Sequence, residues 1–209
     1  IFHRGGNAQF FKRGDPQLEV ITQFMLDVRR DLAVEDTGIM SGVIFAAGDA
    51  VPRTLFDIAV FQGGSDLYFL PTQIDGSAAG TVRRITNFNA DVRDPSVSYD
   101  GTQLAFAMRA NSTDCLNIYV SDLDGTNQRQ LTRDSGCNVS FPVSNVEPVW
   151  GPDDLIYFVS TRSRRRSEGG YPLSNIYRMN PADPEPSSTI LQLTFNVDNE
   201  VAPTFRYPF

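Results

Sequence analysis

From residue 42 onward the hydrophobic positions fall in short runs broken by Gly, Asp, Asn and Pro. Short apolar runs bounded by turn formers read as β-strands. Strands are expected at residues 43–46, 55–61 and 66–70, with Gly63-Gly64 as a hairpin turn between the last two. Upstream the texture differs. Residues 1–14 show no period and read as an arm or a loop. Asp15-Pro16 then supplies an N-cap and a proline at the first helical position, and Leu18, Ile21, Met25, Val28 and Leu32 recur at helical spacing, with Arg29 and Arg30 near the far end. These residues predict one amphipathic helix over residues 16–32 that packs on the edge of the following domain or docks on another subunit. No helical period recurs after it, so the remainder is expected to be all-β: a sandwich, a barrel or a propeller.

Internal repetition decides among those three. A Pro-led strand and turn occurs as Asp94-Pro95-Ser96-Val97-Ser98-Tyr99-Asp100-Gly101, as Glu147-Pro148-Val149-Trp150-Gly151-Pro152-Asp153-Asp154 and as Ala202-Pro203-Thr204-Phe205. The first two copies lead into apolar strands at residues 103–108 and 155–159. A strand with an aromatic centre follows: Asp66-Leu67-Tyr68-Phe69, Asn117-Ile118-Tyr119-Val120 and Asn175-Ile176-Tyr177-Arg178. Each unit closes on Thr, in Arg84-Ile85-Thr86, Gln130-Leu131-Thr132 and Gln192-Leu193-Thr194. Turns at Asp122-Leu123-Asp124-Gly125 and Asn180-Pro181-Ala182-Asp183 sit before the closing strand, where Gly supplies a positive φ and the acidic side chains cap the backbone. Self-similarity over tens of residues marks a radial array, and four strands in this order make one blade. The expected fold is a partial or truncated β-propeller of about three four-stranded blades over residues 52–209, preceded by an N-terminal arm and helix over residues 1–51.

These motifs resemble the TolB-type, WD-like propeller repeat: Pro, an aromatic, a Pro-Asp-Gly turn, an Ile-Tyr-Val strand, Asp-Gly, then Leu-Thr. Residues 91–101, running on into Ala105-Phe106-Ala107-Met108-Arg109, look in particular like the propeller middle domain of hydrazine synthase alpha subunits and their uncharacterised relatives. The resemblance implies a scaffold and not an activity, because no Cys-x-x-Cys-His is present to carry haem chemistry. Departures from the pattern are Trp150 at an aromatic position filled by Tyr99 and Phe205 in the other copies, and an insertion at residues 162–172. Propellers close with four to eight blades. About three blades leave open edges, which the N-terminal segment, another subunit or further sequence is expected to cover.

Composition narrows the function. Hydrophobic residues make up 41% and charged residues 21%, an ordinary globular balance, and 15 Phe with 7 Tyr favour strands. The net charge of −7 argues against nucleic acid as a partner, since neutralising phosphates needs a basic face. No apolar stretch is long enough to span a bilayer as a helix. Cys115 and Cys137, 22 residues apart beside strands, are expected to form a disulfide, and with it a periplasmic or extracellular location, peripheral to a membrane complex.

Catalytic constellations are thin. The only histidine is His3, in the arm, so a Ser-His-Asp set has no base, and no Gly-x-Ser-x-Gly elbow occurs. Two Cys and one His fall short of a zinc site. Asp122 and Asp124, with Asp91, Asp94 and Asp100 nearby in sequence, are weak calcium candidates; turn chemistry accounts for them better. Arg162, Arg164, Arg165 and Arg166 form the one dense basic patch, a candidate contact for an acidic partner or a lipid headgroup against the simpler reading of a solvated loop. Asn111-Ser112-Thr113 and Asn138-Val139-Ser140 match the glycosylation triplet, to which no modification is assigned. The expectation is a non-catalytic, cofactor-free module that binds other protein subunits, an accessory or scaffold in an extracytoplasmic or membrane-associated complex. The alternatives are a non-catalytic propeller domain of a larger redox or hydrolytic enzyme, and a small-ligand or glycan binder using the central channel.

Overall fold

The computed structural model describes residues 42–48, 61, 63–73, 77–135, 137 and 142–205. The arm, His3, the helix expected over residues 16–32 and most of the strand expected over residues 55–61 lie outside them. Three antiparallel sheets follow one another along the chain. The first holds β1 (Gly42–Ala47), β2 (Asp66–Pro71) and β3 (Arg83–Arg84); the second β4 (Asp91–Val97), β5 (Gln103–Arg109), β6 (Asn117–Asp122) and β7 (Arg129–Gln130). The third holds β8 (Asn145–Trp150), β9 (Ile156–Ser160), β10 (Asn175–Met179) and β11 (Leu191–Gln192). Strand order is sequential within each sheet, as expected of propeller blades. The first described strand of the first sheet comes from residues 42–47, before residue 52, in the place that β5 and β9 hold in the other sheets, and β2 has β1 and β3 on its two edges. The edges of β2 that the hairpin expected from residues 55–61 would use are taken by β1 and β3, while residues 55–60 themselves lie outside the described residues.

The repeat has a physical basis in each copy. In β4 and β8 the register slips at the Pro-led pair, between Arg93 and Ser96 and between Val146 and Val149. The residue before each proline is left-handed: φ is 52° at Asp94, 52° at Glu147 and 53° at Ala202. At Asp94 and Glu147 this is a β-bulge that bends the leading strand, with proline's missing N–H accommodated where the ladder is interrupted. The register also reassigns one repeat position. Val97 pairs with Leu104 as Trp150 pairs with Ile156, so Trp150 corresponds to Val97 and not to Tyr99, which lies in the turn beyond the strand.

The closing Thr is explained by a buried hydrogen bond. The closing strands end two residues before it, and Thr86, Thr132 and Thr194 each accept the first N–H inside the aromatic-centred strand, from Leu67, Ile118 and Ile176, at 2.9 Å in all three. Thr86 and Thr132 in turn donate to Asp66 Oδ1 (2.9 Å) and Asn117 Oδ1 (2.8 Å), so the polar residue that opens the strand is satisfied where water is excluded.

Alternation along the strands gives each sheet two apolar faces, one toward the preceding sheet and one toward the next. Toward the preceding sheet, Phe45 stacks on Tyr68, Phe106 on Tyr119 and Phe158 on Tyr177, each pair with ring centroids 5.9 Å apart. Between the first and second sheets Leu67, Ala90, Val92, Leu104 and Phe106 form one core, joined by Ile44, Ala46 and Ile85. Between the second and third, small Ala105 and Ala107 with Ile118, Val120 and Leu131 receive the bulky Ile156, Phe158, Tyr177 and Met179. Small-against-large complementarity of this kind lets the sheets approach closely. Gly125, at φ 86°, sits where a Cβ would lie 2.7 Å from the Ile85 carbonyl oxygen, so the turn before β7 touches the preceding sheet.

Candidate protein-interaction site

The insertion at residues 162–172 is an ordered hairpin and divides the arginine patch. The Arg166↔Pro172 bridge and the Ser167 N–H to Tyr171 carbonyl bond (2.9 Å) extend the β9–β10 hairpin outward. Arg162 turns inward at its base. Its guanidinium pairs with Asp134 at 2.9 Å, donates to Asn145 Oδ1 at 3.2 Å, and lies over the Phe158 and Tyr177 rings at 5.7 and 5.4 Å. Arg164, Arg165 and Arg166 are exposed at the tip, with Arg166 also donating to the Gly170 carbonyl. Side-chain spacing in sequence could not separate the inward arginine from the outward three, because the hairpin turns the chain at Arg164, where φ is 54°.

Cys115 and Cys137 are joined, with a Cα–Cα distance of 5.0 Å. The bond links the start of the β6 segment to the loop that leads into the third sheet. Asp122 accepts from Asn127 Nδ2 at 2.7 Å. Asp124 accepts from the Thr126 hydroxyl (2.6 Å) and N–H (2.9 Å), which hold its carboxyl below the usual carboxylate range. Both acids are thereby occupied in the turn before β7, and among the described residues no group of three acids, His or Cys is arranged to hold a metal ion. Asp100 has the same role in the β4–β5 turn, held low by Ser98 and Thr102.

The leading strands carry a relation that motif reading alone did not isolate. β4 and β8 pack on each other, so the leading edges of the sheets converge. The N–H of Glu147 donates to Asp94 Oδ2 at 3.2 Å, and the N–H of Ala202 donates to the Glu147 carboxylate. Each acid before a proline thus latches the next Pro-led segment. Burial and the nearby Asp94 charge push the Glu147 carboxyl up to about 7. The Asp-Pro and Glu-Pro pairs were the available signal, but their meaning depends on sheets that meet only in three dimensions.

The flanks differ from the interior. Leu131, at the repeat position facing the next sheet, is 1% exposed, whereas its counterpart Leu193 is 37% exposed. Leu191, Phe195, Val197 and Val201 are exposed beside it, Phe195 to 75%. These five exposed apolar residues all fall within residues 191–201, at and after the last strand of the third sheet. On the opposite flank of the array the Phe45–Tyr68 pair is half-buried, while the equivalent Phe106 and Phe158 are fully buried. No helix among the described residues is long and apolar enough to cross a membrane.

No protein-family model matches the chain, and no curated protein is similar to it. Solved structures are. Hydrazine synthase of Kuenenia stuttgartiensis is 17% identical with a TM-score of 0.55, over 80% of this chain and 27% of that one. A putative TolB from Agrobacterium tumefaciens is 22% identical with a TM-score of 0.45, over 65% of this chain and 42% of that one. TolB from Acinetobacter baumannii is 17% identical with a TM-score of 0.46, over 88% of this chain and 38% of that one. The chain thus spans less than half the length of each of these structures. With the sequential antiparallel sheets, the hydrazine synthase likeness shows the fold: the described chain is a propeller-type array of β-blades.

Proposed function

We propose that this chain is a non-catalytic protein-binding propeller module, an accessory or scaffold subunit of a complex in an oxidising compartment. The observation that carries the reading is the exposure of five apolar side chains close in sequence, Leu191, Leu193, Phe195, Val197 and Val201. Burial of each such side chain stabilises by about 1.5–3 kcal/mol, so a segment this rich in exposed apolar side chains is a surface for another protein to cover. The Cys115–Cys137 disulfide supports a periplasmic or extracellular site of action. The tip arginines Arg164, Arg165 and Arg166 offer a separate contact for an acidic partner. Isolation from the native envelope in mild detergent is expected to give a stable stoichiometric protein complex that Leu193→Asp with Phe195→Asp disperses. A monodisperse monomer that carries a small molecule and no protein would overturn the reading.

A second reading, a non-catalytic propeller domain of a larger enzyme, is favoured by the hydrazine synthase likeness, in which this chain spans only 27% of that one. Immunoblotting of the native polypeptide separates the two: a product much larger than 209 residues supports the domain reading.

A further inference from the structure

The two ends of the second and third sheets differ in charge. Asp94 meets Glu147 and Ser96 meets Trp150, so the two leading strands run in the same sense and the connections of both sheets fall at common ends. At one end lie the β4–β5, β6–β7, β8–β9 and β10–β11 connections, which hold Asp100, Asp124, Asp153, Asp154, Asp183 and Glu185 and no Lys or Arg. At the other end stands the arginine hairpin. Its connection, residues 161–174, is fourteen residues long, twice the seven of residues 110–116 between β5 and β6 at the same end. That shorter connection carries one acid, Asp114, which accepts from Asn111 Nδ2 at 2.8 Å. On the hairpin, Arg162 is matched by Asp134, which leaves Arg164, Arg165 and Arg166 against Glu168, three charges less one, a local charge of +2 over residues 163–171. All of these residues sit in connections between described, paired strands.

We propose that this hairpin seats the module end-on at an anionic phospholipid surface, with Arg164, Arg165 and Arg166 on headgroup phosphates and Tyr171 among the headgroups. The inference rests on the reading of the tip arginines as a contact for an acidic partner and names that partner. Guanidinium forks pair with phosphate oxygens. Tyr171, 51% exposed, brings an amphipathic ring of the kind that settles at the headgroup level. Arg165 and Arg166 are neighbours on one arm, so their side chains leave opposite faces of the hairpin. An acidic protein lying on one face would reach part of the set, whereas a headgroup layer surrounds a protruding tip. The net charge of −7 does not prevent the approach. The seven residues of β5 place the acidic end about 23 Å behind the hairpin end, and charges beyond the Debye length of about 8 Å are screened. Each charge near such a surface is worth about fivefold in partition, so +2 gives roughly thirtyfold, enough to orient the module and too little to anchor it.

Flotation of the purified chain with lipid vesicles tests the contact. At low salt, vesicles of phosphatidylethanolamine with phosphatidylglycerol are expected to bind the chain roughly thirtyfold more strongly than phosphatidylcholine vesicles, with the excess lost at high salt. Arg164→Gln with Arg165→Gln and Arg166→Gln is expected to abolish the excess at an unchanged melting temperature. Glu168→Gln is expected to raise binding to the anionic vesicles about fivefold, a gain that loss of folding cannot produce. Equal binding to both kinds of vesicle, an excess that survives the triple substitution, or no gain from Glu168→Gln overturns the inference. Retention on immobilised polyglutamate through the same arginines, without vesicle binding, overturns the bilayer and leaves an acidic protein as the partner. Absence of vesicle binding beside an intact stoichiometric protein complex sinks this inference alone; arginine-dependent vesicle binding by a chain that forms no protein complex supports it and removes the scaffold reading.

Discussion

Glu147 hydrogen-bonds through its backbone N–H to the carboxylate of Asp94, 3.2 Å away on the equivalent bulge of the preceding blade. The contact places two acidic side chains beside one another at the converging edges of the sheets, and the Glu147 carboxyl rises to about 7, first through burial and then through the Asp94 charge. Between the ordinary value of 4.5 and about 7 the folded chain holds a proton that the unfolded chain has lost. Stability therefore falls as pH rises through that window and stays lowered above it. Glu147→Gln keeps an acceptor for the Ala202 N–H and removes the charge. Thermal unfolding at pH 8 is expected to show the variant more stable by about 1–3 kcal/mol, with a flatter profile between pH 5 and 7; an unchanged slope would show that Glu147 is not the titrating group.

Arg162 and the three tip arginines are expected to separate into stability and association. Arg162→Ala removes the Asp134 pair, the Asn145 bond and the cover of two aromatic rings, and should cost about 2–3 kcal/mol in urea unfolding. Reversal of Arg164, Arg165 and Arg166 to Glu should change stability by less than about 0.5 kcal/mol. Any effect of the triple variant on complex formation then reports contact and not folding.

Trp150 fills the core between the second and third sheets, yet its Nε1 is buried with no hydrogen-bond partner among the described residues. Trp150→Ala is expected to cost about 3–5 kcal/mol through lost packing. Trp150→Phe should cost only about 1–2 kcal/mol, because it also removes the unpaired donor. Equal losses by denaturant titration would point to a partner for the indole N–H.

The disulfide closes a 22-residue separation between the Cys115 segment and the loop that enters the third sheet. Replacement of Cys115 and Cys137 by Ser is expected to lower stability by about 3 kcal/mol, and reductant should lower the wild-type melting temperature and leave the variant unaffected. Wild-type melting that ignores reductant would contradict the linkage.

Hydrophobic periodicity and repeat spacing were enough to locate the blade strands, because alternation and turn residues act over a few positions. The Tyr-centred strands at residues 66, 117 and 175 begin where the sequence pattern places them. Local turn chemistry at Gly63-Gly64 says nothing about which edge a distant strand occupies, and β1 pairs along the whole of β2. The aromatic match of Tyr99 to Trp150 failed for a related reason: the bulge shifts the register, and only pairing with β5 and β9 shows which residue faces the core.

By itself the sequence determined the repeat, the β character of the described residues, the Cys115–Cys137 pairing and the placement of Asp100 and Asp124 in turns, all of which rest on interactions close along the chain or on few candidates; Asp91, read from sequence with the turn acids, instead lies buried in β4 against Arg93 and Arg109. The tertiary structure alone decided that Arg162 points inward, that Asp94 latches Glu147, and that Leu193 is exposed where Leu131 is buried. Those properties depend on which sheet lies against which, and the packing of sheets brings together residues more than fifty positions apart that no local pattern connects.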